Sequence, residues 1–216
     1  PRSMMLLHAE NYDTLMRALA KKNPPGMYLP DWCLDGMIIA VQGGTDKVIS
    51  KAFTMLDAGA KISAVWSQDW CGENRTIMGK QVWWNYEYDD KLYHHLPEAI
   101  KRLESRGVRF LAYINPYLVK GSRLYNKCAD KGWLIKSRDG SICHMKSTTF
   151  DAGMLDLTDP EAVRFIKEVL IKKNMLDIGI KGWMADFGEY LPTDCVLHEG
   201  DPAELHNQWP VLWAKI

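Results

Sequence analysis

Hydrophobic residues along this chain occur in short continuous runs, and each run gives way to polar residues. Between the runs, apolar residues recur at the three- and four-residue spacing of amphipathic helices. The runs predict β-strands at residues 36–42, 62–66, 108–114 and 178–185. The spacing predicts helices at residues 46–58, 96–107 and about 159–175. Strands that are apolar rather than alternating, with helices between them, indicate a parallel sheet covered on its faces.

Turn and capping residues mark the ends of these elements. Gly43-Gly44-Thr45-Asp46 predicts a turn and a helix start, and Thr158-Asp159-Pro160-Glu161 predicts a capped helix with proline in its first turn. Two further helices are predicted, one at 11–22 that ends at Asn23-Pro24-Pro25-Gly26 and a short one at 123–131. Residues 71–91 are predicted to form a long aromatic loop, and residues 136–146 a hairpin that turns at Asp139-Gly140.

Four strand–helix units within about 150 residues define the fold class as α/β. They fit either a doubly wound sheet or the first half of a (β/α)₈ TIM barrel, and both folds place sites at the carboxyl ends of their strands. All four strand ends here carry amide or carboxylate groups. They read Gln42, Gln68-Asp69-Trp70, Asn115-Pro116-Tyr117 and Asp186-Phe187-Gly188-Glu189. Four polar strand ends at one edge of a sheet predict a functional site there.

Composition narrows the function further. Lys and Arg equal Asp and Glu at 27 each, and this balance argues against a nucleic-acid or anionic-membrane partner. No segment approaches the roughly 18 apolar residues of a membrane span. The five cysteines are odd in number, widely spaced and without a Cys-x-x-Cys pair, which favours reduced thiols in a cytoplasmic protein over a zinc site or disulfides. Because the chain starts at Pro1, we expect a piece of a longer protein.

Amides, carboxylates and aromatic platforms are the groups that a sugar site needs, because hydroxyls require donors and acceptors while the apolar face of a pyranose packs on an indole. The segment 82–88 contains Trp83 and Trp84 and could supply such platforms, or it could cover a barrel rim or pack against another domain. Other chemistries have no matching motif. The sequence contains no Gly-x-Ser-x-Gly, no phosphate-binding loop, no His-Glu-x-x-His and no Gly-x-Gly-x-x-Gly after a strand.

Together these segments resemble glycoside hydrolase family 31, the retaining α-glycosidases built on a (β/α)₈ barrel, and are most similar to its sulfoquinovosidase branch. The matching segments are Leu29-Pro30-Asp31-Trp32, Val41-Gln42-Gly43-Gly44-Thr45, Trp66-Ser67-Gln68-Asp69-Trp70, residues 111–117, Asp156-Leu157-Thr158, residues 182–194, His206-Asn207 and Trp209-Pro210. The resemblance implies that residues 31–216 are the N-terminal half of the catalytic barrel and that residues 1–30 lead in from a preceding region.

The resemblance also implies roles for individual residues. Asp186 matches the catalytic nucleophile at the end of the fourth barrel strand, and Glu189 matches an acidic residue in a supporting, hydrogen-bonding role. Gln42 and Gln68 match residues that bind sugar hydroxyls, and Trp84 matches a tryptophan that helps to hold a sulfonate. A retaining enzyme also needs a second carboxyl group as acid/base. In the family that aspartate lies on a later strand, so it would fall beyond Ile216.

One residue departs from the sulfoquinovosidase pattern. Three positions before Trp84 that branch has an arginine, and this chain has Gln81. A neutral amide lacks the charge and the planar fork that a guanidinium offers to an anion. Gln81 and Asp69 complete the expected substrate-binding set, and Asp69 is not expected to act as the acid/base.

The sequence therefore predicts an enzyme that hydrolyses an α-linked hexoside with retention through a glycosyl-Asp186 intermediate, without metal or cofactor. The substrate would be a sulfoquinovoside or a neutral glucoside, and the isolated chain would be inactive. The alternative is a non-catalytic carbohydrate-binding homologue. A doubly wound nucleotide-binding domain would need a glycine-rich phosphate loop after the first strand, and Gln42-Gly43-Gly44 is a poor substitute. The oligomeric state is not predicted.

Overall fold

The computed structural model describes residues 5–22, 26, 28–77, 79–147 and 149–216. Its strands are β1 (Met37–Ala40), β2 (Ile62–Trp66), β3 (Glu73–Thr76), β4 (Gly79–Val82), β5 (Arg109–Ile114), β6 (Tyr117–Val119), β7 (His144–Lys146), β8 (Asp151–Met154) and β9 (Gly182–Ala185). Its α-helices are α1 (Tyr12–Lys22), α2 (Thr45–Asp57), α3 (Leu96–Glu104), α4 (Arg123–Lys131), α5 (Pro160–Phe165), α6 (Pro202–Leu205) and α7 (Trp209–Ala214). A π-helical segment, Ile166–Lys173, continues α5, and short 3₁₀ turns occupy Asp31–Leu34, Leu176–Ile178 and His206–Gln208.

The central sheet has four parallel strands in the order β1-β2-β5-β9. The strands of this sheet lie side by side in the order in which they occur along the chain. Right-handed crossovers between such strands place the connecting helices on one face of the sheet. A doubly wound sheet instead reverses its strand order at a switch point. The observed order is therefore that of consecutive barrel units and excludes the doubly wound alternative.

The core lies between this sheet and its covering helices. On the strands, Val65 and Phe110 are fully buried. Helices α2 and α3 pack against each other and against the sheet through one apolar face each. Those faces include Val48, Ala52, Ile100 and Leu103.

Both outer strands of the sheet expose apolar side chains. Met37 and Ile38 on β1 are each 49% exposed, and Met184 on β9 is 46% exposed. In a closed barrel the side chains at these two edges are covered by further strands and by the packed interior. Within the described residues, the sheet is an open half of such a barrel.

Several predicted elements differ in detail from the structure. The predicted loop at 71–91 is wrong in part, because it contains the antiparallel hairpin β3–β4. In the predicted hairpin at 136–146, only Lys136 and Ile142 form a bridge across the turn, and residues 144–146 instead pair with β8. The predicted helix at 159–175 begins as expected, since the Asp159 carboxylate accepts the N–H groups of Glu161 and Ala162, but from Ile166 it is a π-helix.

The helix predicted at 11–22 is confirmed as α1, and none of its residues is buried. Its predicted end at residues 23–26 lies, apart from Gly26, outside the described residues. The boundary placed after residue 30 stays a prediction. Within the part of the chain that the structure describes, no helix combines the length and apolar character needed to cross a membrane.

Candidate active site

Asp186 stands directly after β9, at the carboxyl end of the sheet. Its backbone N–H donates to the carbonyl of Ile114 at 2.9 Å, so the residue continues the pairing of β9 with β5. Its carboxylate is half-buried. The Oδ2 atom accepts a hydrogen bond from the Tyr113 hydroxyl at 2.9 Å, while Oδ1 accepts none from the described residues. One carboxylate oxygen is thus held by a hydrogen bond, while the other has no hydrogen-bond donor among the described residues.

Tyr113 is supported in turn by the end of its own strand. Asn115, which is 1% exposed, directs its Nδ2 atom at the Tyr113 hydroxyl at 3.4 Å. Burial raises the pKa of Tyr113 well above its usual range, and the neighbouring Asp186 charge adds to this increase. The phenol is therefore a hydrogen-bond donor rather than a phenolate.

Two predicted sugar-binding residues meet at the ends of β1 and β2. The Gln42 side chain donates from Nε2 to Oε1 of Gln68 at 3.0 Å. Gln42 is exposed and Gln68 is partly exposed. After this bond, Gln68 still offers its amide N–H₂ and Gln42 its carbonyl oxygen, so the pair presents both a donor and an acceptor to a ligand.

Asp69 follows Gln68 at the end of β2 and is only 2% exposed. Its Oδ2 atom accepts the backbone N–H of Gly43 at 2.8 Å, and its Oδ1 atom accepts the hydroxyl of Tyr93. Both oxygens are thus engaged within the chain. This geometry fits a residue that fixes the turn after β1, which carries Gln42, more closely than one that contacts a sugar.

Trp84 belongs to an aromatic cluster that reaches Phe187, the residue after Asp186. Its ring centroid lies 5.5 Å from that of Phe187, 5.7 Å from Tyr117 and 5.1 Å from Phe150. Phe187 has a φ of 55°, in the left-handed region that L-residues with a large side chain rarely occupy. The cluster therefore holds a strained turn next to Asp186.

Gln81 lies on the β3–β4 hairpin and bonds to the segment before β8. Its Nε2 atom donates to the Ser147 hydroxyl at 3.0 Å, and its Oε1 atom accepts the Thr149 hydroxyl. The amide therefore ties two surface segments together. Among the described residues, no hydrogen bond joins Gln81 to Trp84 or Asp186, so its place in the substrate site stays a prediction.

Glu189 is exposed and makes no hydrogen bond or ion pair with the described residues. Burial is the main reason that the pKa of Tyr117 is raised, and the nearby Cys143 and Glu189 groups raise it further. The supporting, hydrogen-bonding role predicted for Glu189 stays a prediction. Across the described ranges, no group of three or more His, Cys, Asp or Glu side chains is placed to hold a metal ion.

Tyr113 is the part of the candidate site that the sequence pattern did not predict, whereas Asn115 was expected at a polar strand end. A signal was present in the pairing of the strands. Tyr113 pairs with Met184 in the sheet, and side chains alternate along strands, so Tyr113 and Asp186 lie on the same face. That inference requires the register, which the sequence pattern alone does not fix.

Comparisons with known proteins agree on one family. The model described as "Glycosyl hydrolases family 31 TIM-barrel domain" matches residues 28–216. A sulfoquinovosidase of Escherichia coli (strain K12) is 45% identical over 208 residues, which cover 96% of this chain and 30% of the relative. A sulfoquinovosidase of Agrobacterium fabrum is 36% identical over 217 residues, which cover 100% of this chain and 32% of the relative.

A solved structure gives the same picture in three dimensions. A family 31 sulfoquinovosidase from E. rectale, in complex with the aza-sugar inhibitor IFGSQ, superposes with a TM-score of 0.88 at 42% identity. The match covers 96% of this chain and 31% of that structure. This chain therefore spans about a third of the length of the relatives that it matches, and its sheet is part of a TIM barrel.

Proposed function

Because the chain belongs to glycosyl hydrolase family 31, we propose that the protein hydrolyses an α-linked hexoside with retention of configuration. Asp186 is the nucleophile in this proposal. The observation that carries it is the asymmetric carboxylate at the end of β9, where Oδ2 is held by Tyr113 and Oδ1 is unbonded within the described residues. A nucleophile needs this combination of fixed orientation and one available lone pair.

The proposed reaction has two displacements. In the first, Asp186 attacks the anomeric carbon while a general acid protonates the departing glycosidic oxygen. In the second, water displaces the aspartate, and the same acid, now a base, takes the proton from that water. The two carboxyl groups of a retaining enzyme stand about 5 Å apart. Since the chain covers about 30% of its relatives, we propose that another part of the full-length protein supplies this acid.

Substrate hydroxyls are assigned to the paired amides of Gln42 and Gln68, since together they offer a donor and an acceptor at the strand ends. Trp84 supplies an aromatic surface within the cluster beside Phe187. Asp69 takes an indirect part by holding the Gly43 turn. These roles support the binding of a small carbohydrate.

The sugar itself is proposed to be of the sulfoquinovoside type, because relatives at 45% and 36% identity are sulfoquinovosidases. One observation favours a neutral hexoside as the second candidate. Gln81 is uncharged, and both ends of its amide are engaged by Ser147 and Thr149. Lys80, the adjacent cation, is paired with Glu73 at 2.9 Å.

A reducing compartment such as the cytoplasm fits the cysteines. All five are free thiols. Cys128 is fully buried, and burial raises its pKa to about 12, so this thiol is protonated and unreactive. We propose a cytoplasmic location on this basis.

Turnover of aryl α-glycosides by the full-length protein tests the proposal. Hydrolysis with retention, abolished in Asp186→Asn, is the expected result, and the 216-residue chain alone is expected to be inactive. A protein that binds the sugar tightly without turning it over would instead be the non-catalytic homologue. Activity of Asp186→Asn equal to that of the wild type would remove Asp186 from the mechanism.

A further inference from the structure

Asn115 fixes the direction in which the Tyr113 hydroxyl donates its hydrogen bond. The Asn115 Oδ1 atom accepts the backbone N–H of Tyr117 at 3.0 Å, which fixes the orientation of the amide. The Asn115 Nδ2 atom therefore points to the Tyr113 oxygen, at 3.4 Å. Because the Tyr113 oxygen accepts this hydrogen bond from Asn115, the phenolic proton is directed at Asp186 Oδ2.

The end of β5 is also held from outside the sheet. The backbone carbonyl of Asn115 accepts the Tyr86 hydroxyl at 2.5 Å, and Tyr86 is only 3% exposed. Tyr86 adopts a left-handed backbone with a φ of 54°. Its own carbonyl accepts from Nδ2 of Asn174, the residue that ends the π-helix, at 2.9 Å. A continuous set of hydrogen bonds thus runs from Asn174 to the nucleophile.

We propose that Tyr113 is a positioning residue that fixes the Asp186 carboxylate so that Oδ1 is the oxygen that attacks. This inference rests on the proposed glycosidase function. The Oδ1 atom forms the bond to the anomeric carbon, and the bond from that carbon to the leaving oxygen breaks. The leaving oxygen takes its proton from the carboxylic general acid. Tyr113 keeps its own proton and continues to donate to Oδ2, which is now the carbonyl oxygen of the glycosyl ester.

The surroundings of Tyr113 keep its phenol protonated, so that it remains a hydrogen-bond donor to Asp186. Tyr113 is 4% exposed, and its pKa is raised well above the ordinary value by burial and by the Asp186 charge. Ionisation therefore does not compete with donation at the pH values used for glycosidase assays. Without the hydroxyl, the carboxylate could rotate about its Cβ–Cγ bond, and fewer encounters would present an oxygen in line with the anomeric carbon.

The test is the rate of covalent labelling of the full-length protein by a mechanism-based fluoroglycoside, measured over a range of label concentrations. In Tyr113→Phe we expect the maximal labelling rate to fall roughly 10- to 100-fold, the effect of losing a hydrogen bond to a charged group. The half-saturating concentration should stay unchanged, because binding groups are untouched. The matched control is Tyr125→Phe, which removes a hydroxyl bonded to His144 at 2.6 Å and should keep the wild-type rate.

The outcomes separate this inference from the proposed function. If the wild type is not labelled, the glycosidase proposal fails. If the wild type is labelled and Tyr113→Phe is labelled at the same maximal rate, the positioning role is wrong. An equal loss in Tyr113→Phe and Tyr125→Phe would also overturn it, by showing a general loss of structure. Should Tyr113→Phe not fold, Asn115→Ala gives the second test, and an unchanged maximal rate in that variant contradicts the proposal.

Discussion

Replacement of Asp69 by asparagine tests the interpretation that this residue holds the turn after β1. Asp69 is 2% exposed, and its carboxylate accepts the Gly43 N–H and the Tyr93 hydroxyl on separate oxygens. Asparagine has nearly the same volume, but it presents an N–H₂ group where one carboxylate oxygen stood. The change therefore removes charge and one acceptor without creating a cavity.

The size of the effect follows from these two bonds. A hydrogen bond to a charged group contributes about 1.5–3 kcal/mol, and a buried donor left unpaired costs about 1–3 kcal/mol. In the variant the remaining oxygen can accept the Gly43 N–H and the Tyr93 hydroxyl can rotate to accept from the new N–H₂ group, so both bonds persist but lose the added strength that the charge gives them. We expect Asp69→Asn to lower the free energy of unfolding by about 2–3 kcal/mol, a large share of the 5–15 kcal/mol typical of a domain.

The assay is urea unfolding followed by tryptophan fluorescence. Asp57→Asn is the control, because Asp57 is 67% exposed and pairs with Arg106 at the surface, where an ion pair contributes about 0–1 kcal/mol. A double-mutant cycle with Tyr93→Phe should show a coupling energy of about 1 kcal/mol or more between Asp69 and Tyr93. If Asp69→Asn is as stable as Asp57→Asn while KM rises tenfold or more, Asp69 contacts the substrate directly and the positioning interpretation is refuted.

Three further predictions concern specificity, packing and pH. Gln81→Arg should raise kcat/KM for an aryl α-sulfoquinovoside relative to an aryl α-glucoside by about tenfold, and an unchanged ratio would place residue 81 outside the sulfonate site. Gly44→Ala should destabilise the protein by about 3 kcal/mol or more in urea unfolding, because φ is 96° and the new Cβ would lie 2.2 Å from the Leu92 carbonyl oxygen. Burial raises the pKa of Cys71 and of Tyr113 in the folded state, so both groups ionise first in the unfolded chain. The free energy of unfolding should therefore fall as pH rises above about 8.5, where the unfolded Cys71 thiol ionises, and more steeply above about 10, where unfolded Tyr113 ionises. A constant urea midpoint from about pH 8 to 10.5 would contradict this prediction.

The parallel sheet could be predicted from sequence because its strands leave a strong pattern. Buried parallel strands are apolar on both faces, so Ile62–Trp66 and Arg109–Ile114 read as continuous apolar runs that end in polar residues. The hairpin β3–β4 left no such pattern. Its strands, Glu-Asn-Arg-Thr and Gly-Lys-Gln-Val, are mostly polar and only partly buried, and polar sequence of this kind is equally typical of a loop.

The π-helix illustrates a second limit. Apolar spacing predicts a helix at residues 159–175, with Val163, Ile166, Val169 and Leu170 on its apolar face. The structure confirms the burial of Ile166 and Leu170, but it also buries Phe165 and Ile171, while Val163 and Val169 are only partly buried. The wider turn of a π-helix, with hydrogen bonds from residue i to i+5, changes which residues face the core. The spacing rule for α-helices assumes about 3.6 residues per turn and does not predict this change.

The candidate site was predictable where its residues end a strand, and not where they act across strands. Gln42, Gln68 and Asp186 follow apolar runs, so their place at one sheet edge could be inferred before the structure. Asp69 has the same sequence signal, yet burial and its two internal bonds give it a different environment. Tyr113 lies inside a strand, and only the register of β5 against β9 brings it to Asp186.

The most direct test of the account is to identify the residue that forms the covalent intermediate. The full-length protein would be treated with a slow fluoroglycoside substrate, digested, and analysed by tandem mass spectrometry. We expect a single glycosyl ester on Asp186, with no label in Asp186→Asn. A label on Glu189, on Asp69 or on any residue other than Asp186 would contradict the central claim.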